Sequence, residues 1–196
     1  MNPDAIALYA FVLLGLFTPG PNVILLTASG ARFGLWRTLP HVAGVAVGVG
    51  LLAAASALGV AALLLALPVL ATAMKLAAAS WILWMAYGLV FVSKSGVRAT
   101  SERPFTFIEA VLFQAINPKV WAVALTAASG YALGLPLATE AVHLGLTFSV
   151  LNLGVCLFWS ATGSGLSRLL ETPEAWKLFT RTMGFLLACS VVTVFL

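Results

Sequence analysis

The chain has 196 residues, of which 8 % are charged and 62 % apolar, and its formal net charge is +4. Soluble domains carry about 25 % charged and 45–50 % apolar residues, so this composition excludes a water-soluble surface and marks an integral membrane protein. It excludes a nucleic-acid partner too, because the basic residues sit in short connections between apolar runs, where they act as topology signals.

A helix needs about 20 apolar residues to cross the hydrocarbon layer, and six runs qualify: residues 5–28, 39–67, 69–92, 107–129, 138–162 and 179–196. The start, "MNPDAIALYAF", has no basic n-region and no small-residue cleavage site. Its run is therefore expected to be retained as the first span, with Asp4 at the outer surface. That span is interrupted at "TPGPN", residues 18 to 22. Proline lacks the N–H and clashes with the preceding turn, so the helix must open there, with Thr18 and Pro19 reading as N-cap and first residue of a new segment. Spans two and three form one apolar stretch divided by Pro68, with Lys75 soon after, and are expected to make a tight hairpin. Gly44 and Gly48 make a GxxxG step, followed by Ala53 and Ala57, that allows close helix approach within the subunit or between subunits.

Residues 93 to 105, "SKSGVRATSERPF", are the one polar loop of any length. Span four breaks at "AINPKVW", residues 115 to 121, where Asn117 and Pro118 again read as N-cap and first helical residue and Lys119 stands at mid-span. A lysine at the bilayer centre costs about 2.5–3.5 kcal/mol, which calls for a role or a partner. Glu109 stands ten residues earlier, about 15 Å away at helical rise, too far to touch it within one helix. Gln114 and Asn152 are interior enough to line a path or to make polar helix-to-helix contacts, and together with Glu109 and His41 they are the candidates for a path or coupling role, although His41 and His143 stand near span starts, where interfacial hydrogen bonding is expected. Cys156 and Cys189 lie in apolar segments as small hydrophobes, with no metal site or disulfide implied. Residues 164 to 181 alternate apolar and charged positions and are expected to lie along the cytoplasmic interface, with Thr172, Pro173 and Glu174 starting the last helix.

Lys and Arg mark the cytoplasmic side. Arg32 and Arg37, then Lys94, Arg98 and Arg103, then Arg168, Lys177 and Arg181 follow spans one, three and five, so both termini are expected outside. "PGPNVILLTASGARFG" (19–34) also matches "PKVWAVALTAASGYALG" (118–134) with one gap, aligning Ser29, Gly30 and Gly34 with Ser129, Gly130 and Gly134. Three spans per half make such repeats inverted, as in many secondary transporters with a midplane site. The fold expected is one all-α membrane domain of six helices: a first repeat over 1–92, a cytoplasmic connection over 93–106 and a second repeat over 107–196, with helices one and four broken.

Half-helix N-termini attract anions, Lys119 adds a positive charge, and the unwound carbonyls near Phe17 and Ala115 suit a cation. A site with both signs fits a zwitterion such as an amino acid. No nucleophile–base pair, HExxH or metal-ligand cluster points to an enzyme, and no cofactor is implied. A passive pore or facilitator for small polar metabolites uses the same broken helices.

The motifs "TPGPN" (18–22), "FQAINPKVW" (113–121), "HVAGVAVGVG" (41–50) and "LFTRTMGFLLACSVV" (178–192) resemble those of the lysine and homoserine/threonine exporter family, LysE/RhtB type, over nearly the full length. The resemblance implies a bacterial inner-membrane exporter of amino acids or related metabolites, driven by an ion gradient. It places the substrate region at Pro19, Gly20, Pro21, Asn22, Asn117, Pro118 and Lys119, beside Thr18. Many members carry an acidic residue or a glycine pattern before NPK, where this chain has "LFQAI", so substrate and coupling group stay open. Partners are then the small-molecule zwitterion and membrane lipid, with a homodimer open.

Overall fold

The computed structural model describes residues 3–18, 20–60, 63, 66–91 and 103–192. Among these, eight α-helices run in order: α1 Pro3–Phe17, α2 Pro21–Phe33, α3 Leu35–Ala57, α4 Pro68–Val90, α5 Phe107–Ala115, α6 Pro118–Gly130, α7 Leu137–Leu166 and α8 Pro173–Cys189, with a 3₁₀ turn at Ser167–Leu169 before α8. One device recurs in the starts: α2, α4, α6 and α8 each open on a proline, whose missing N–H is not needed there and whose fixed φ suits a first turn.

The expected breaks are present as bends of 59° between α1 and α2 and 66° between α5 and α6. With each bent pair counted as one span, the described residues hold five helical segments long and apolar enough to cross a membrane; three unbroken helices qualify alone. This is a multi-pass membrane protein. Its exposed apolar side chains, such as Leu14, Leu76, Val150 and Phe185, are spread over α1, α4, α7 and α8, as a lipid-facing surface requires.

Several boundaries differ from expectation. The second span ends at Ala57 rather than at residue 67, because Gly59 takes a positive φ of 85° and terminates the helix. Thr172 accepts from the Ala175 amide and caps α8 as expected. That helix is continuous with the sixth apolar run, expected from residue 179, so residues 173–181 belong to it, and at 17 residues its described part is short for a span. Residues 93–102 of the connection lie outside the described residues, while Thr106 and Glu109 form a capping box that starts α5.

Two packed bodies organise the helices. α3 and α7 run antiparallel at the centre, with Gly50 against Gly145 and Ser149. α2 crosses α7 where a Cβ on Gly30 would lie 2.1 Å from the Ser160 carbonyl oxygen and one on Gly163 equally close to that of Thr27. α5 lies along α3 in the same direction, its Phe107 and Ala110 against Gly44 and its Val111 and Gln114 against Gly48. The GxxxG step is therefore used within the subunit. α1 packs on α6 and α7, and α6 packs on α3. The second body is the pair α4 and α8, joined to the first through Ile24 of α2 and Phe113 of α5.

Candidate functional site

Both breaks face one small cavity. Its walls include Leu16, Gly20, Pro21, Asn22, Asn117, Lys119 and Asn152, completed on the α7 side by Val155, Cys156 and Trp159. The volume is about 20 Å³, room for roughly one water molecule.

The first break runs over residues 18–20. Its helix restarts at Pro21 with Gly20 as N-cap, in an extended conformation and without a side-chain cap. Thr18, expected to cap this helix, instead turns its hydroxyl back to the Gly15 carbonyl at 2.9 Å; Pro21 supplies the preformed first turn, so that cap is not needed. Pro19 lies outside the described residues. Lys119, from the other half of the chain, donates its ammonium to the Thr18 carbonyl. The lysine stem passes directly over Gly20, where a Cβ would be 2.9 Å from its Cδ. A side chain at position 20 would thus displace Lys119, the one cation among the described residues that line this cavity.

The second break is shorter. Asn117 occupies the N-cap of α6 in extended conformation, but its side chain makes no cap bond; its backbone carbonyl accepts from Val120 and Trp121 at 3.1 and 3.3 Å. Pro118 follows as the first residue of α6. The Ala115 carbonyl freed by this break accepts the Trp121 indole N–H at 2.8 Å. So neither carbonyl region expected to suit a cation is open: one holds Lys119 and the other an indole.

Gln114 ties the breaks together. Its carboxamide exchanges two hydrogen bonds with that of Asn22, at 2.8 and 3.2 Å, and also donates to the Ala110 carbonyl at 2.9 Å and accepts from Asn117 at 3.4 Å. A fully buried amide with every position used is rigid. By contrast, Asn117 Oδ1, Asn152 Nδ2 and Trp159 Nε1 are buried with no partner. Unpaired polar atoms in an interior are costly, and three of them surround this cavity.

Two candidates from the sequence lie elsewhere. Glu109 stands at the start of α5, half exposed, in a bidentate pair with Arg103 at 2.7 Å. The hydrogen bonds that Arg103 donates to this carboxylate raise its guanidinium above its ordinary pKa. His41, expected to bond at an interface, is 2 % exposed with neither ring nitrogen partnered. It packs against Phe105 with ring centroids 5.0 Å apart and tilted by 33°, and lines a separate cavity of about 120 Å³ with Ser29, Arg32, Met85 and Arg103. Burial follows because α3 starts at Leu35, not residue 39, which carries His41 a full turn inside. His143 does find a partner, the Tyr9 hydroxyl at 3.4 Å.

The sequence reading missed Trp159, Cys156 and the carbonyl-binding indole of Trp121. A signal for the first was present: Asn152, Val155, Cys156 and Trp159 recur at i, i+3, i+4 and i+7, one stripe of a helix.

The profile described as "LysE type translocator" matches residues 13–195. The chain is similar to the cysteine/O-acetylserine efflux protein of Klebsiella pneumoniae subsp. pneumoniae, with 30 % identity over 200 residues covering 98 % of this chain and 95 % of that one. No solved structure matches it. With nearly its whole length covered by the profile and by a full-length relative, the chain belongs to the LysE type translocator family.

Proposed function

We propose that this protein exports small amino acids across the bacterial inner membrane by alternating access, with the substrate held between the two breaks and export driven by an ion gradient, the proton gradient first. One observation carries the reading: Lys119 at the second break reaches the Thr18 carbonyl at the first, so that both breaks close on one cavity lined by unpaired amide atoms. The ammonium and the start of α2 and α6 offer positive charge to a carboxylate. Asn117 Oδ1 and the Thr18 carbonyl offer acceptors to an amino group. A cavity of about 20 Å³ is too small for any amino acid, so the substrate site forms as the breaks part. Thr18, Gly20, Pro21, Asn22, Gln114, Asn117, Pro118, Lys119 and Asn152 are the residues assigned to it, with Pro19 between them in the chain. Glu109 and His41 are assigned to the helix start and the second cavity instead.

An inverted-repeat architecture of six spans, with α8 as the sixth and both termini outside, supplies the moving parts in this reading. Its support is the pattern of pairings. Exchanging the halves turns α2 on α7 into α6 on α3, and α5 on α3 into α1 on α7, and all of these contacts occur. The equivalent helices α3 and α7 are antiparallel, and the aligned Gly34 and Gly134 share positive φ values of 79° and 73°. α2 also touches α3 and α8, so the halves are not equal. Arg32 and Arg103, from different basic connections, line one cavity, which fits a common cytoplasmic end.

The substrate class follows from the relative's, cysteine and O-acetylserine: short side chains without a full charge. One elementary charge moved through 100 mV supplies about 2.3 kcal/mol, roughly fifty-fold accumulation. The test is efflux of an amino-acid panel from proteoliposomes, with and without an imposed proton gradient, for the wild type and Lys119→Ala. Gradient-dependent movement of cysteine or O-acetylserine that disappears in the variant is expected. Movement indifferent to the gradient would make the protein a facilitator, and equal movement in both proteins would remove Lys119 from the site.

A further inference from the structure

α7 carries no break, yet it forms one whole wall of the cavity. The stripe Asn152, Val155, Cys156 and Trp159 faces it, and the two ends of that stripe are N–H groups without acceptors, Asn152 Nδ2 and Trp159 Nε1. Asn152 is 3 % exposed. The Trp159 ring is held against Phe17 at a centroid distance of 5.3 Å, and Phe17 precedes the residue whose carbonyl holds Lys119. Trp159 therefore stands at the Lys119 end of the cavity, and Asn152 two helical turns from it. An indole N–H can only donate, so whatever completes this wall must bring acceptors.

We infer that α7 is the wall that reads the substrate's acceptors: Trp159, with Lys119, receives the α-carboxylate, and Asn152 receives a second acceptor on the side chain. This rests on the reading of the cavity as the transport site. Seven residues of helix separate the roots of the two side chains by about 10.5 Å, so the two donors serve different ends of one ligand. Val155 and Cys156 between the donors give that chain an uncharged surface to lie on. The ligand class is a small amino acid with a polar, uncharged side-chain acceptor, such as an ester carbonyl. A purely aliphatic amino acid of the same size leaves Asn152 unpaired.

The experiment is transport by the reconstituted full-length protein of O-acetylserine and of alanine, which lacks the side-chain acceptor, in the wild type, Trp159→Phe, Asn152→Leu and Asn152→Asp. Trp159→Phe keeps an aromatic ring, though a smaller one, and removes the N–H; it is expected to raise KM for both substrates by the same factor, about tenfold. Asn152→Leu is expected to raise KM for O-acetylserine about tenfold and that for alanine by a clearly smaller factor. Asn152→Asp keeps the volume and puts an acceptor where the donor was, so it must repeat that selective loss; it decides the matter should the leucine variant fail to fold. Parallel changes for both substrates in the Asn152 variants, or unchanged KM values in all three, would overturn the assignment while leaving export intact. If the wild type moves neither substrate, the export reading fails. Thermal-shift binding of O-acetylserine then decides: a shift lost in Trp159→Phe keeps the subsite, and no shift removes it.

Discussion

The two breaks solve one problem in different ways. Each frees backbone carbonyls inside a membrane, where an unsatisfied polar group is costly. The second break is self-contained: the Ala115 carbonyl is answered by the Trp121 indole six residues along the same chain segment. The first depends on the other half of the molecule, because the Thr18 carbonyl is answered by Lys119. A break that satisfies itself can stay as it is while its surroundings move. One whose carbonyl is held by a distant ammonium must lose that bond whenever the halves separate, and a zwitterion is the ligand that can replace both partners.

This contrast predicts unequal effects. Lys119→Met should lower the transport rate by more than about tenfold, since hydrogen bonds to charged groups contribute about 1.5–3 kcal/mol. Trp121→Phe, which removes the indole N–H at the second break and keeps a smaller aromatic ring, should cost a few fold, corresponding to about 1 kcal/mol for the hydrogen bond. Equal losses measured in the same vesicles would erase the distinction between the breaks. Next in size is a contrast between the aligned glycines. Gly30→Ala puts a methyl 2.1 Å from the Ser160 carbonyl oxygen, whereas nothing lies within 4 Å of a Cβ on Gly130. Overpacking costs about 1–3 kcal/mol, so the melting temperature of Gly30→Ala should fall clearly and that of Gly130→Ala should hold or rise.

A double-mutant cycle on Asn22→Leu and Gln114→Leu measures the bond between the breaks directly. Their reciprocal amide pair should give a coupling of about 1 kcal/mol in thermal unfolding, and additivity would show that the pair does not join them. The smallest effect is expected from Arg103→Gln. This exposed arginine braces Glu109 in its cap at the start of α5 and does not line the cavity between the breaks, so transport should be nearly unchanged; a tenfold loss would bring the α5 start into the mechanism.

The breaks themselves were legible because proline leaves few options: "TPGP" and "NPK" cannot continue a helix ladder. So were Asn22, Asn117 and Lys119, polar groups beside those prolines. The positions of the first cap and of the second span's end were not, since both turn on glycines, Gly20 and Gly59, whose conformation depends on neighbours. His41 misled for a similar reason, as four extra residues at the start of α3 moved it from a rim to an interior. Trp159 left a trace in the stripe that begins at Asn152, but that trace does not point to a cavity, because a largely apolar stripe on a membrane helix looks alike whether it meets lipid or a cavity. Only the tertiary crossing of α7 over the breaks tells them apart.

That crossing has a mechanical side. At Gly30 and Gly163 the backbones of α2 and α7 touch carbonyl to Cα, with no side chain between them. Side-chain layers can yield by changing rotamers, but two backbones in contact have no such slack. A tilt of α7 there must carry α2 with it, like two rods lashed at one point. The lash sits eight residues beyond Asn22, about 12 Å at helical rise, so a few degrees of tilt become a displacement of roughly an ångström at the start of α2. The pair of glycines is thus a fulcrum, and the break lies on its lever arm.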